Sequence, residues 1–139
     1  MLTEYQQHLV QSSFQVLVEN VDVAAQTFYD HLFALDPSLK SMFHEDSRVQ
    51  GRKLMRMFLM LVNELHNPDN LIPQLSDLGK RHVNYGVKLE HYPIVGMALL
   101  QTVEQALGDD FTPDMAAAWQ TTYEHLKQIV IERSYPIGD

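Results

Sequence analysis

The chain contains no cysteine. That excludes a disulfide framework, a thiolate nucleophile and any iron–sulfur or cysteinyl metal site, so soft metal ligation falls to histidine. Positive charge is also scarce, with ten lysines and arginines against eighteen carboxylates and a formal charge of −8. Such a balance supplies no general basic field for phosphates, which argues against nucleic acid and anionic membrane surfaces as partners. No run approaches the roughly 18 to 20 apolar residues of a membrane span. The opening MLTEYQQHLV lacks the basic-then-apolar pattern of a secretory signal, so the expected location is cytoplasmic. A Gly-rich phosphate loop, a GxSxG elbow and an HExxH zinc pair are all missing. No segment alternates with period two for long enough to make a strand.

What is present is apolar periodicity of helical type. With 139 residues, 45% of them hydrophobic and 20% charged, the chain reads as one globular domain over residues 1–139. Thr3 with Gln6 forms a capping box for a first helix to about Glu19, whose inward face is read as Tyr5, Leu9, Val16 and Leu17. A second helix runs from about Val21 to Leu35, and Asp36 with Pro37 stops and restarts the chain. A third covers Val49 to Leu65, and His66 to Pro73 reads as a loop. A short helix follows over QLSDLGKRHVNYG, residues 74–86. Another leads from Pro93 to Leu107, closed by Gly108, and Thr112 with Pro113 starts a last one to about Arg133. The fold class expected is all-α, with about six substantial helices and short connecting ones.

Several polar groups sit on those apolar stripes. In the short helix Leu75, Leu78, His82 and Tyr85 fall within an arc of about 80°, since each residue advances the helix by about 100°. A histidine thus points where leucines point, either as a buried imidazole bonded to a backbone carbonyl or as a ligand. Tyr29 lies on the apolar side of the second helix, and Gln50 shares the direction of Leu54 one turn later. Phe43 ends the tight turn after Pro37. Taken singly, each has an ordinary packing explanation. The remaining histidines, His8, His31, His44, His66, His91 and His125, lie among polar neighbours or near helix ends, and none pairs at three- or four-residue spacing within one helix.

Five segments in fixed order carry a resemblance: FYDHLFALDPSLKSMF (28–43), QGRKLM (50–55), LGKRHVNYGV (78–87), EHYPIVG (90–96) and AAW (117–119). Together they resemble the globin family, and within it the bacterial single-domain globins of the Vitreoscilla haemoglobin type, related to the haem domain of flavohaemoglobins. The resemblance implies a globin fold around a pocket for haem b, iron protoporphyrin IX. It implies His82 as the proximal ligand of the iron, Phe43 packing on the porphyrin, and Tyr29, Gln50 and Leu54 facing the sixth position. Leu54, Leu78, Val87 and Val95 would shield the plate. Tyr92 would contact His82 from the side away from the iron. The family's glutamate near the end of the last helix is matched by Ser134. Glu132, two residues earlier, is turned about 200° away, so the proximal backing of His82 is expected to be weaker than in flavohaemoglobins.

Two function classes follow from the resemblance. One is reversible binding of dioxygen at a five-coordinate iron, for oxygen storage, transport or scavenging, with nitric oxide and carbon monoxide as other diatomic ligands. Tyr29 and Gln50 both offer hydrogen-bond donors to such a ligand. The other is an enzyme, nitric oxide dioxygenation to nitrate (nitric oxide detoxification), in which a separate reductase restores ferrous iron. The sequence ends where a flavin reductase domain would begin, so electrons are expected from another chain.

Overall fold

The computed structural model describes residues 2–42, 47–84 and 87–134, and every regular element among them is helical. In order these are α1 (Glu4–Glu19), α2 (Val21–Leu35), a 3-10 turn (Pro37–Met42), α3 (Ser47–Asn63), α4 (Pro68–Asn84), α5 (His91–Leu107), a second 3-10 turn (Gly108–Asp110) and α6 (Pro113–Ser134). The all-α architecture read from the sequence is the one observed.

Local chemistry explains most of the boundaries. Thr3 Oγ1 accepts from the Gln6 backbone N–H at 3.0 Å while Gln6 Oε1 accepts from the Thr3 N–H at 3.0 Å, so two free donors at the start of α1 are satisfied together. Asp36 Oδ1 accepts from the Ser38 N–H at 3.1 Å and from the Ser38 hydroxyl at 2.6 Å, which turns the chain out of α2. Gly108 ends α5 with a φ of +56°, a conformation that disfavours a side chain. Thr112 Oγ1 then accepts from the Met115 N–H at 3.2 Å and opens α6.

Two expectations are corrected. The stretch from His66 to Pro73 is not a loop throughout: α4 begins at Pro68, and QLSDLGKRHVN is the later part of a 17-residue helix. Pro68 occupies the first helical position, where no N–H is needed, and the Asn67 carbonyl accepts from Asn70 and Leu71. Pro73 removes one intrahelical hydrogen bond, and the full burial of Leu71 and Leu75 on either side offsets that loss. The inward face of α1 is Val10, Ser13, Phe14 and Leu17, whereas Tyr5 and Val16 are exposed. That face is turned by about 110° from the Tyr5, Leu9 and Val16 stripe. Tyr5 instead donates its hydroxyl to Asp114 on the surface.

Helix packing then creates the room for a site. Helix α4 packs on α6, α2 on α5 and on α3, and α1 on α6. An aromatic cluster joins them, with Phe14 against Trp119 at 5.9 Å between ring centroids and Phe58 between Phe14 and Phe28. The Trp119 indole N–H donates to Ser13 Oγ at 2.8 Å, so the one tryptophan is buried without a stranded donor. Helices α3 and α4 follow one another in the chain, yet each leans on other partners, and a cavity opens between them. No helix among the described residues is long and apolar enough to cross a membrane.

Candidate haem pocket

The cavity measures about 290 Å³. Helix α3 contributes Gln50, Leu54, Met57, Phe58 and Leu61, and α4 contributes Leu75, Leu78, Arg81 and His82. Val87 follows α4, Tyr92, Val95 and Leu99 come from α5, and Trp119, Thr122, Tyr123, Leu126 and Lys127 come from α6. The lining is overwhelmingly apolar, with a few polar groups at separate points, which is the character of a cofactor site.

His82 is half-buried, and its Nδ1 lies 3.1 Å from the Tyr92 hydroxyl. The two rings are 5.9 Å apart and inclined by 45°. Burial first, and then the positive charge of neighbouring Arg81, holds the imidazole below its usual pKa range. The ring is therefore neutral near pH 7, and with Nδ1 engaged by Tyr92 its other nitrogen is left to act. Tyr92 is itself held: its backbone carbonyl accepts from the Tyr123 hydroxyl. Tyr123 occupies space that exists because residue 96 is glycine, since a Cβ there would lie 2.5 Å from Tyr123 Cε2. Burial, and secondarily the charge of Glu124, pushes the Tyr123 phenol well above its ordinary value, so it stays a donor.

On the α3 wall Gln50 carries a buried Oε1 that meets no hydrogen-bond partner among the described residues. Thr122 Oγ1 on the α6 wall is in the same position. The contrast with Thr102 is informative, because Thr102 bonds back to the Ala98 carbonyl at 2.7 Å within its own helix and Thr122 does not. Both orphaned atoms border the cavity, where a bound molecule would reach them.

Most of the residues singled out from the sequence are brought together. His82, Gln50, Leu54, Leu78, Val87 and Val95 line one cavity, with Tyr92 joined to His82. Tyr29 stands apart from the lining. It is buried beside the pocket, stacked on Phe33 at 5.6 Å with an interplanar angle of 6°, and its ring edge approaches Gly51. Phe43 and Tyr85 lie outside the described residues. Ser134 is half-buried and donates to the Ser76 carbonyl of α4 at 3.3 Å, while Glu132 is exposed. Tyr123, Thr122, Arg81 and Lys127 were not singled out from the sequence. The EHYPIVG segment held the one available signal, a glycine one turn after Tyr92, and its partner Tyr123 lies too far along the chain to be inferred.

A family model described as Globin matches residues 26–130 of the chain. The chain belongs to the globin family. Among relatives, this globin is 32% identical over 133 residues to the flavohemoprotein of Rhizobium meliloti (strain 1021), covering 94% of this chain and 33% of that protein. It is 31% identical over 118 residues to the flavohemoprotein of Bacillus subtilis (strain 168), covering 83% of this chain and 30% of that one. The chain thus spans about a third of the length of the curated relatives it matches. Its fold is similar to the bacterial globin from Campylobacter jejuni, with a TM-score of 0.79, 27% identity, and coverage of 94% and 95% of the two chains. Membership in the globins carries haem-based ligand binding. The cavity residues fit such a group: apolar walls suit a porphyrin plate, His82 offers a neutral imidazole nitrogen, and the Gln50 amide stands on the α3 wall of the same cavity.

Proposed function

We propose that this globin binds dioxygen reversibly at haem b held in the cavity, with His82 as the axial ligand of the iron. The observation that carries the reading is His82 itself, a neutral imidazole on the wall of an apolar cavity with Nδ1 already engaged by Tyr92. When bound, the haem would supply an iron that takes diatomic ligands such as dioxygen, nitric oxide and carbon monoxide. Tyr92 fixes the rotation of the imidazole and, by accepting from Nδ1–H, selects the tautomer that leaves the other nitrogen free. Leu54, Leu78, Val87 and Val95 exclude water from the plate, in a role that Phe43 would share. Gln50, on the cavity wall, would donate its amide N–H to the ligand, and the Tyr29 hydroxyl, beside the pocket, would be the second donor. Each such bond in a dry pocket contributes about 1 to 3 kcal/mol when the acceptor carries charge. Ser134 is spent on the Ser76 carbonyl and Glu132 faces water, so neither lends negative charge to the His82–Tyr92 pair.

A second reading is nitric oxide dioxygenation, in which dioxygen and nitric oxide combine to nitrate and a separate reductase returns the iron to the ferrous state. The relatives named flavohemoprotein favour it, since that name joins a flavin to a haem.

Haem titration of the purified protein tests the first reading. A sharp porphyrin absorption band is expected, and His82→Gly should lose most iron ligation; an unchanged ferrous spectrum in that variant sinks the proximal assignment. Tyr29→Phe should raise the dioxygen dissociation rate by about tenfold, and an unaltered rate removes Tyr29 from the ligand's surroundings. Rapid mixing of the oxygenated protein with nitric oxide, followed by turnover with a generic reductase, separates the two readings. Sustained nitrate production selects the enzyme, and a single event without re-reduction selects the carrier.

A further inference from the structure

Helices α2 and α3 meet at Ala25 and Gly51, both buried. A Cβ on Gly51 would lie 2.7 Å from the Ala25 Cβ and 3.3 Å from Tyr29 Cε2, so a missing carbon sets how near the two backbones come. On α2, Asp22, Ala25, Tyr29 and Phe33 fall within an arc of about 80°. That stripe is tied to α3 at its outer end, where Asp22 accepts from Arg52 Nε at 2.8 Å and from Arg52 Nη2 at 3.1 Å. Farther in, the Tyr29 ring has its edge toward Gly51 and its face on Phe33. On α3, Gly51 stands about 100° round the helix from Gln50 and about 60° from Leu54. Those two residues line the cavity, and Gly51 faces α2. Phe28, next to Tyr29 on α2, lines the cavity as well.

We propose that Gly51 is a positioning residue for Tyr29 and thereby sets the preference of the pocket for dioxygen over carbon monoxide. The inference rests on the haem reading and on Tyr29 as a donor, and it deepens both. Tyr29 and Gln50 stand on different helices, and two donors so placed meet one diatomic ligand only where their backbones nearly touch. Carbon atoms pack at about 3.5 to 4.0 Å, so a side chain at residue 51 parts α2 from α3 by about 1 Å. A hydrogen bond of about 2.8 Å lengthened by that much is no longer one. Of the two donors Tyr29 is the one that yields, because the added carbon presses on its ring as well as on Ala25. Gln50 moves with α3 and keeps its place beside Leu54. Bound dioxygen gathers negative charge and bound carbon monoxide gathers far less, so a hydroxyl donor holds the first much more strongly than the second. Selectivity between the two gases is thus governed by a residue that has no side chain to touch either.

The test compares the haem-loaded wild type with Gly51→Ala, Tyr29→Phe and the two combined. The readouts are the dissociation rates of both gases and the C–O stretching frequency of the carbon monoxide complex. Gly51→Ala should raise the dioxygen rate by about tenfold, as Tyr29→Phe does, and the carbon monoxide rate by less than about twofold. It should also raise the C–O frequency, which is lowered by a donor facing the bound gas. Combining the two substitutions should add little to either alone, since both remove the same bond. Moving the carbon instead of adding it, in Gly51→Ala with Ala25→Gly, should return rate and frequency most of the way to wild type. The nearest α2 backbone atom, Ala25 Cα, is then at an ordinary 4.0 Å, and only the Tyr29 ring has to give, by a few tenths of an ångström. Should Gly51→Ala not fold, that swapped pair measured against Ala25→Gly alone carries the test, and equal C–O frequencies in the two overturn the proposal. Multiplying effects in the combined variant, equal acceleration of both gases, or an unchanged frequency in Gly51→Ala would mark residue 51 as packing only, while the haem reading stands. A dioxygen rate unaltered by Tyr29→Phe removes the donor and the proposal with it. A protein that takes up no haem overturns the proposal and the haem reading together.

Discussion

Gln50 shows how much a single residue carries here. An amide oxygen that is buried and unpartnered among the described residues costs stability, and removing the whole amide recovers it. Gln50→Leu should therefore stabilise the haem-free protein by about 1 kcal/mol, read from the denaturant midpoint, and should raise the dioxygen dissociation rate of the loaded protein. Opposite signs in the two measurements mark a group kept for its ligand; destabilisation of the haem-free form would show that Gln50 serves packing. The sequence exposed Gln50 because it broke an apolar stripe, and His82 was legible in the same way. Thr122 was not, since a threonine on a helical stripe is ordinary and only the missing bond to its own helix sets it apart. Tyr29 was legible as buried. Whether a buried tyrosine lines a cavity or stacks on Phe33 beside it depends on rotamer and neighbours, which periodicity does not contain.

At the scale of helices, α4 is placed by a close approach to α6. A Cβ on Gly79 would come within 2.6 Å of Ser134 Cβ and nearer still to its hydroxyl, and within 3.0 Å of Val130. One turn farther along α4 is His82, so this contact sets how deeply the imidazole enters the pocket. Gly79→Ala should destabilise the protein by about 1 to 3 kcal/mol and shift the iron–histidine stretching frequency of the loaded form. Adding Ser134→Gly should recover much of the stability, because the crowding atoms belong mainly to Ser134; absence of any recovery would assign the cost elsewhere. The helices themselves, their caps and the Gly108 stop were readable from local chemistry. The onset of α4 at Pro68 was not, because two prolines five residues apart resemble a loop until Leu71 and Leu75 find a core to enter. The facing of α1 failed for a related reason. Two apolar stripes compete on that helix, and contact with α6 and α3 selects the one with Val10 and Phe14.

For the molecule as a whole, the cavity ties stability to the cofactor. Atoms lining an apolar space of about 290 Å³ lack packing partners on one side, and a bound plate supplies them. Binding to the folded state alone also stabilises by mass action, by about 2.7 kcal/mol at a free concentration one hundred times Kd. Haem should therefore raise the melting temperature in a concentration-dependent way, and iron-free protoporphyrin should raise it less because His82 gains no bond. Equal shifts from the two would show that His82 contributes no ligation energy.

The sequence alone determined the all-α class, the start and stop of most helices, and the set of polar residues stranded on apolar stripes. These follow from interactions within a few residues, namely caps, prolines and periodicity, which a chain specifies before it folds. Tertiary structure alone decided that His82, Gln50 and Leu54 share one cavity, that Tyr92 and Tyr123 brace His82 in series, and that Tyr29 stands behind the wall. Those relations join residues separated by up to several helices. They depend on how close one backbone approaches another, and at Gly79 and Gly96 that distance is set by the absence of a single carbon atom.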